Sequence, residues 1–114
     1  MEFGVSSETG ETALVVTVRG DIDLATAPLL WEHIATHWLE SQALILDVAN
    51  VPFMDSTGLG VLVQAAERAR PHGATVAVVG AISRVRKVIE ITGLDTFIYI
   101  GESLADGLRA TEIR

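Results

Sequence analysis

Two stretches of this chain are apolar with almost no interruption, and each runs into a segment of helical period. The first is Leu44-Ile45-Leu46-Asp47-Val48, and the second is Ala74-Thr75-Val76-Ala77-Val78-Val79. A strand with one wet face alternates polar and apolar residues. An unbroken run is typical of a strand covered on both faces, as in a parallel sheet. Other strand-like segments complete the pattern. Residues 13–19 read as a strand ended by Gly20, and residues 3–6 as an earlier one, joined through the turn-rich Ser7-Glu8-Thr9-Gly10. Residues 97–100 read as a short last strand.

Helical patterns fill the intervals. Thr26 can cap a first helix with Pro28 in its first turn. Ala27, Leu30, Trp31, Ile34 and Trp38 then share a face. In a second helix Leu59, Leu62, Val63, Ala66 and Ala69 are expected inward, with Val61, Gln64, Ala65 and Arg68 outward. Ser83 is expected to cap a third helix that turns Val85, Val88, Ile89 and Thr92 inward. Gly93 suits the left-handed position that ends it, with Leu94 packing back on Ile89. Ser103 and Asp106 resemble a capping pair for a last helix carrying Leu104 and Leu108. Strands alternating with helices imply right-handed crossovers. The fold class is therefore α/β: one domain over residues 1–114, with a mixed, parallel-rich sheet flanked by about four helices. The hairpin-like start puts an antiparallel pair at one edge.

Composition narrows the function. The 114 residues suffice for one core, and 49% of them are hydrophobic, which excludes a disordered chain. No apolar run approaches the ~20 residues of a membrane span. No basic segment leads into an apolar stretch at the start, so a cytoplasmic location is expected, without membrane association. There is no cysteine, hence no disulfide framework and no thiolate chemistry. A net charge of −7 argues against nucleic-acid binding, which depends on neutralising phosphates, and suits a basic protein partner.

Chemistry concentrates in Phe53-Met54-Asp55-Ser56-Thr57-Gly58-Leu59-Gly60, where a strand hands over to a helix. Such a junction exposes backbone N–H groups and the positive end of the helix dipole, so it tolerates an anion. Ser56 could be modified there without breaking the fold, or could simply cap the helix. Thr57 could share the cap or be a second acceptor, and Asp55 could make local turn bonds. Gly58 and Gly60 each cost a helix about 1 kcal/mol relative to Ala. They suggest close approach of a backbone or partner, or for Gly58 relief of a tight turn. The segment is not a P-loop, because the Gly-Lys-Ser/Thr ending is missing. Val61, placed outward beside Ser56, is a candidate partner contact.

Two enzymatic or metal readings compete weakly. His33 and His37, with Glu40 a turn further on, have a spacing that can bind zinc, yet the same spacing is common on wet helix faces. A serine hydrolase would need Ser56 inside Gly-x-Ser-x-Gly, which is absent, and a base from His33, His37 or the loop residue His72. Neither metal nor cofactor is expected.

The motif from Phe53 to Gly60 resembles the signature of the anti-sigma-factor antagonists, small members of the STAS family. Gly20-Asp21-Ile22-Asp23 followed by Thr26-Ala27 resembles that family's turn into its first helix. Ile91-Thr92-Gly93-Leu94 resembles the end of its third. The similarity spans nearly the whole chain. Arg84 departs from it, since many members carry Pro after the capping Ser; that alters a cap and leaves the functional expectation intact. The resemblance implies that Ser56 is a phosphorylation site and that Asp23 lies beside it at the partner surface. With Asp55, Thr57, Gly58, Gly60 and Val61 these residues form the expected partner-binding set. It further implies a protein without catalysis of its own, a monomer when free. Unmodified, it would bind an anti-sigma factor that is also a serine kinase using ATP and Mg²⁺, releasing the sigma factor. Phosphorylation would end binding, and a serine phosphatase would restore it. The alternative within the family is a module of another complex, such as a lipid-transport ATPase or a signalling scaffold.

Overall fold

The computed structural model describes residues 1–39 and 41–112. Five strands form one sheet in sequence order: β1 (Gly4–Thr9), β2 (Ala13–Arg19), β3 (Ala43–Asn50), β4 (Val76–Val79) and β5 (Tyr99–Gly101). β1 and β2 are antiparallel, and every later pair is parallel. Four helices follow the parallel strands in turn: α1 (Ala27–His37), α2 (Ser56–Ala69), α3 (Ser83–Ile91) and α4 (Leu104–Glu112). The expected α/β class, with its mixed, parallel-rich sheet and antiparallel edge, is what the chain forms.

Strand order explains the layers. When consecutive parallel strands are neighbours, right-handed crossovers place every connecting helix on the same face. Accordingly α1, α2 and α3 share one core with Leu14, Val16, Val18, Leu44, Leu46 and Val78. The opposite face is thinner, built on Ala13, Ala43, Ile45, Ala77 and Val79. There α4 comes close enough that a Cβ on Gly107 would lie 2.7 Å from Val79 Cγ1. Both apolar runs are buried on both faces, as their sequence implies.

Several boundaries and faces differ from expectation for local reasons. β1 continues through Ser7, Glu8 and Thr9, because these pair with Val16, Val15 and Leu14; the turn begins at Gly10, whose amide bonds to the Ala13 carbonyl at 2.8 Å. Phe97 precedes the last strand and is exposed. Ser83 is the first residue of α3 and supplies no side-chain cap; Ile82 holds the cap position. Thr92 faces solvent, its hydroxyl donating to the Ile89 carbonyl at 2.6 Å. Gly93 does end α3 in the left-handed region, φ 77°, and Leu94 packs against the core. Asp106 N–H donates to Ser103 Oγ at 3.2 Å, while the Asp106 carboxylate accepts from the Glu102 amide at 3.1 Å, a capping pair displaced by one residue.

The largest correction concerns α2. Its buried side is Gly58, Val61, Leu62, Ala65 and Ala69, whereas Val63 is 38% exposed. Glycine and alanine carry little hydrophobic signal in a sequence. The chain nevertheless packs α2 through glycine and alanine, which bring the helix axis close to the sheet. Val61, 3% exposed, is therefore core and not a surface contact.

Among the described residues no helix is long and apolar enough to cross a membrane.

Candidate functional site

The loops after β2, β3 and β4 lie side by side at the end of the sheet where the parallel strands finish. Two of them are joined by backbone bonds. The Ile22 amide donates to the Phe53 carbonyl at 3.0 Å, and the Asp55 amide donates to the Ile22 carbonyl at 3.2 Å. Ile22 and Met54 thus form a parallel bridge beyond the strands proper. This bridge brings the loop of Asp23, separated from Ser56 by thirty-three positions, to the start of α2. Sequence spacing had no means of establishing that neighbourhood.

Asp55, with extended backbone, is the N-cap of α2. Its Oδ1 accepts from the Thr57 amide at 2.9 Å and the Gly58 amide at 3.4 Å, and also from the Thr57 hydroxyl. The Thr57 hydroxyl, backed by the two amides, holds the Asp55 carboxyl below its usual value, against the opposing effect of desolvation. Asp55 is therefore a carboxylate at neutral pH, placed at the positive end of the helix dipole. Thr57 is half-buried and its hydroxyl is committed to Asp55.

That arrangement releases Ser56. The sequence allowed Ser56 to be the cap; the structure assigns the cap to Asp55 and places Ser56 in the first helical position, exposed. Among the described residues neither its hydroxyl nor its amide has a hydrogen-bond partner. A nucleophilic oxygen thus stands in solvent at a helix N-terminus, flanked by a fixed carboxylate.

Asp23 braces the turn that leads into α1, three residues before the cap position at Thr26. Its Oδ1 accepts from the Ala25 amide at 3.0 Å and the Thr26 amide at 3.2 Å. Thr26 occupies the cap position, but its hydroxyl turns back into the loop. It donates to the Asp21 carbonyl at 2.7 Å and accepts from the Asp23 amide at 2.9 Å. The carboxylate of Asp23 is half-buried, with its loop held from both sides.

The two glycines separate cleanly. A Cβ on Gly58 would sit 2.6 Å from Met54 Cγ and 2.9 Å from Ile22 Cγ2, so Gly58 lets the helix close on the bridge. Gly58 is buried and leaves the list of surface contacts with Val61. A Cβ on Gly60 would meet nothing within 4 Å. Among the described residues no packing asks for glycine there. Ser56, Asp55, Asp23, Thr57 and Gly60 retain some exposure.

The metal and hydrolase readings find no support in this geometry. His33 Nε2 is 2.9 Å from Ser7 Oγ, and His37 Nδ1 donates to the His33 carbonyl at 2.8 Å, with the rings stacked at 4.2 Å. Burial, with the neighbouring His37, lowers the His33 pKa from its ordinary value. The His33 ring ties α1 to β1, and His37 bonds back within α1. Glu40 lies outside the described residues; among those described, no three His, Cys, Asp or Glu residues could share a metal ion. His72 lies beyond the far end of α2, a helix about 21 Å long.

Comparison with known proteins agrees with the fold. The STAS domain family matches residues 5–107. An anti-sigma-B factor antagonist of Listeria monocytogenes is 37% identical over 86 residues, covering 75% of each chain. The crystal structure of an anti-sigma factor antagonist from Mycobacterium paratuberculosis superposes with a TM-score of 0.88 at 31% identity, covering 97% of this chain and 95% of that one. The chain belongs to the STAS domain family, among the anti-sigma-factor antagonists, which are binding proteins and not enzymes. The Bacillus cell fate determinant SpoIIAA, solved in its phosphorylated form, shares the fold at a TM-score of 0.71 and 16% identity, covering 96% of this chain and 98% of that one.

Proposed function

We propose that this protein is a phosphorylation-switched anti-sigma-factor antagonist that works in the cytoplasm and is a monomer when free. Unphosphorylated, it binds an anti-sigma factor with serine-kinase activity and so releases a sigma factor. Phosphorylation of Ser56 ends that binding, and a serine phosphatase reverses it. The observation that carries this reading is the exposed, uncommitted Ser56 hydroxyl, freed from capping by Asp55 and set beside the Asp23 loop.

The physics of the switch follows. A phosphate adds about −1.5 to −2 charges and three acceptor oxygens. At a helix N-terminus it is tolerated by the fold. In the middle of an interface it brings a desolvation cost and charge repulsion from any acidic group opposite. A change of only ~3 kcal/mol weakens binding more than a hundredfold.

The test is phosphorylation with ATP and Mg²⁺ by each anti-sigma-factor kinase of the source organism, followed by mass-spectrometric mapping. The expected result is one phosphate on Ser56, absent from Ser56→Ala. A Ser56→Ala protein that is still fully modified, with phosphate only elsewhere, would sink the assignment.

A further inference from the structure

The surface next to Ser56 is not uniformly polar. Leu24 is 76% exposed, Phe53 43% and Ile82 41%. They come from the loops that follow β2, β3 and β4, three adjacent strands ending at the same edge of the sheet. The first two loops are joined by the Ile22–Phe53 and Asp55–Ile22 bonds. The third is tied to the second by Arg84, whose guanidinium donates to the Pro52 carbonyl at 3.3 Å. Neighbouring strands are about 4.8 Å apart, so the three loops fit within roughly 10 Å across the sheet. Phe53 precedes Ser56 by three residues, at most about 11 Å of chain.

We propose that Leu24, Phe53 and Ile82 form the apolar anchor through which the anti-sigma factor docks, and that Arg84 positions Phe53 within it. This rests on the reading of Ser56 given above and adds the residues that supply affinity. The occupant is fixed by what must happen at Ser56. A kinase that transfers a phosphoryl group there has to cover the hydroxyl. A stable interface covers about 800 Å² of each partner, with twenty to thirty residues on each side. One serine and its capping Asp cannot supply that, and the loops bonded to them are the nearest further surface. Interfaces also concentrate their energy in a few central apolar or aromatic side chains within a polar rim. Phe53 and its two aliphatic neighbours provide the first, and Asp21 and Asp23 the second. The partner surface that fits is an apolar depression with basic residues around it, in keeping with the −7 charge of this chain.

A second exposed apolar surface serves as the comparison. A groove of about 490 Å³ lies along the C-terminal half of α2, lined in part by Val63, Ala66, Leu94 and Phe97. It lies toward the end of α2 opposite Ser56 and shares none of the three loops.

The experiment uses the kinase identified by the Ser56 phosphorylation assay. Its affinity is measured, without ATP, for the parent, Leu24→Ser, Phe53→Ser, Ile82→Ser and Phe97→Ser, each checked by thermal melting. Each of the first three is expected to weaken binding at least tenfold and to raise the kinase KM, with Phe97→Ser within twofold of the parent. Should Phe53→Ser or Ile82→Ser lose stability, Leu24→Ser decides alone, because its side chain is mostly in solvent. Leu24→Ser, Phe53→Ser and Ile82→Ser proteins that bind within twofold of the parent, while Ser56 is still phosphorylated in the parent, overturn the anchor and leave the switch standing. Loss of binding confined to Phe97→Ser moves docking to the groove and also overturns it. A parent that no anti-sigma-factor kinase binds or modifies overturns both.

Discussion

Two aspartates brace the candidate site: Asp55 supplies the oxygen that accepts from the first amides of α2, and Asp23 the oxygen that accepts from amides of its own turn. The Asp55 role was readable in principle: an acid directly before a helical run is a good N-cap, and a threonine two residues on strengthens it. Competition from Ser56 obscured it, since serine is an equally good cap by type. What decides between them is backbone conformation: Asp55 is extended and Ser56 already helical. Asp23 likewise holds two amides, those of its own loop, which the Ile22 bonds bring to the start of α2. Replacing it by Ala removes both bonds and the charge, so Asp23→Ala is expected to cost about 1 kcal/mol of stability, as cap losses do. Asp23→Asn keeps an oxygen for the amides and removes only the charge. Its urea midpoint should lie closer to the parent's than that of Asp23→Ala, while its affinity for the anti-sigma factor falls as far as the Ala variant's. If Asp23→Asn binds like the parent, the carboxylate charge takes no part in recognition.

The helices show how far the pattern of residues could be read. The two apolar runs gave β3 and β4 directly, because nothing but burial on both faces suits them. The buried face of α2 differs from the one its pattern predicts, because its contact surface is built from Gly58, Ala65 and Ala69, which carry little hydrophobic signal. Likewise the shift of β1 by pairing with β2 is a non-local effect that no window of sequence contains. The glycines of α2 offer a paired test. Gly58→Ala forces a methyl against Ile22 and Met54, and overpacking of this kind costs about 1–3 kcal/mol. The helix-propensity gain of about 1 kcal/mol offsets only part of it. Gly60→Ala receives that gain without a clash, so it should raise stability by roughly 0.5–1 kcal/mol. Urea unfolding of the two variants should therefore move in opposite directions. Should Gly60→Ala also bind the anti-sigma factor as tightly as the parent, the partner does not approach closely at that position.

At the scale of the whole molecule, the proposed switch residue stands outside the core. Sequential strand order stacks α1, α2 and α3 on one face and collects the βα loops at one end. These loops send Ile22, Val51 and Met54 into the core and leave Ser56 exposed outside it. At that end the first two loops are bonded through Ile22 and the third through Arg84, which links three short connections into one platform. A phosphate on Ser56 would sit on this platform, outside the core and at the favourable end of α2. The central claim is that phosphorylation acts on the interface and not on the fold. Titration calorimetry with the cognate anti-sigma factor, on parent, phosphorylated protein and Ser56→Ala, tests it most directly when each sample is also melted. The account predicts that the phosphorylated protein keeps its circular dichroism and melting temperature close to the parent's yet binds at least tenfold more weakly, and that Ser56→Ala binds like the parent. Phosphorylated protein that binds as tightly as the parent, or that loses binding only because it unfolds, would contradict it.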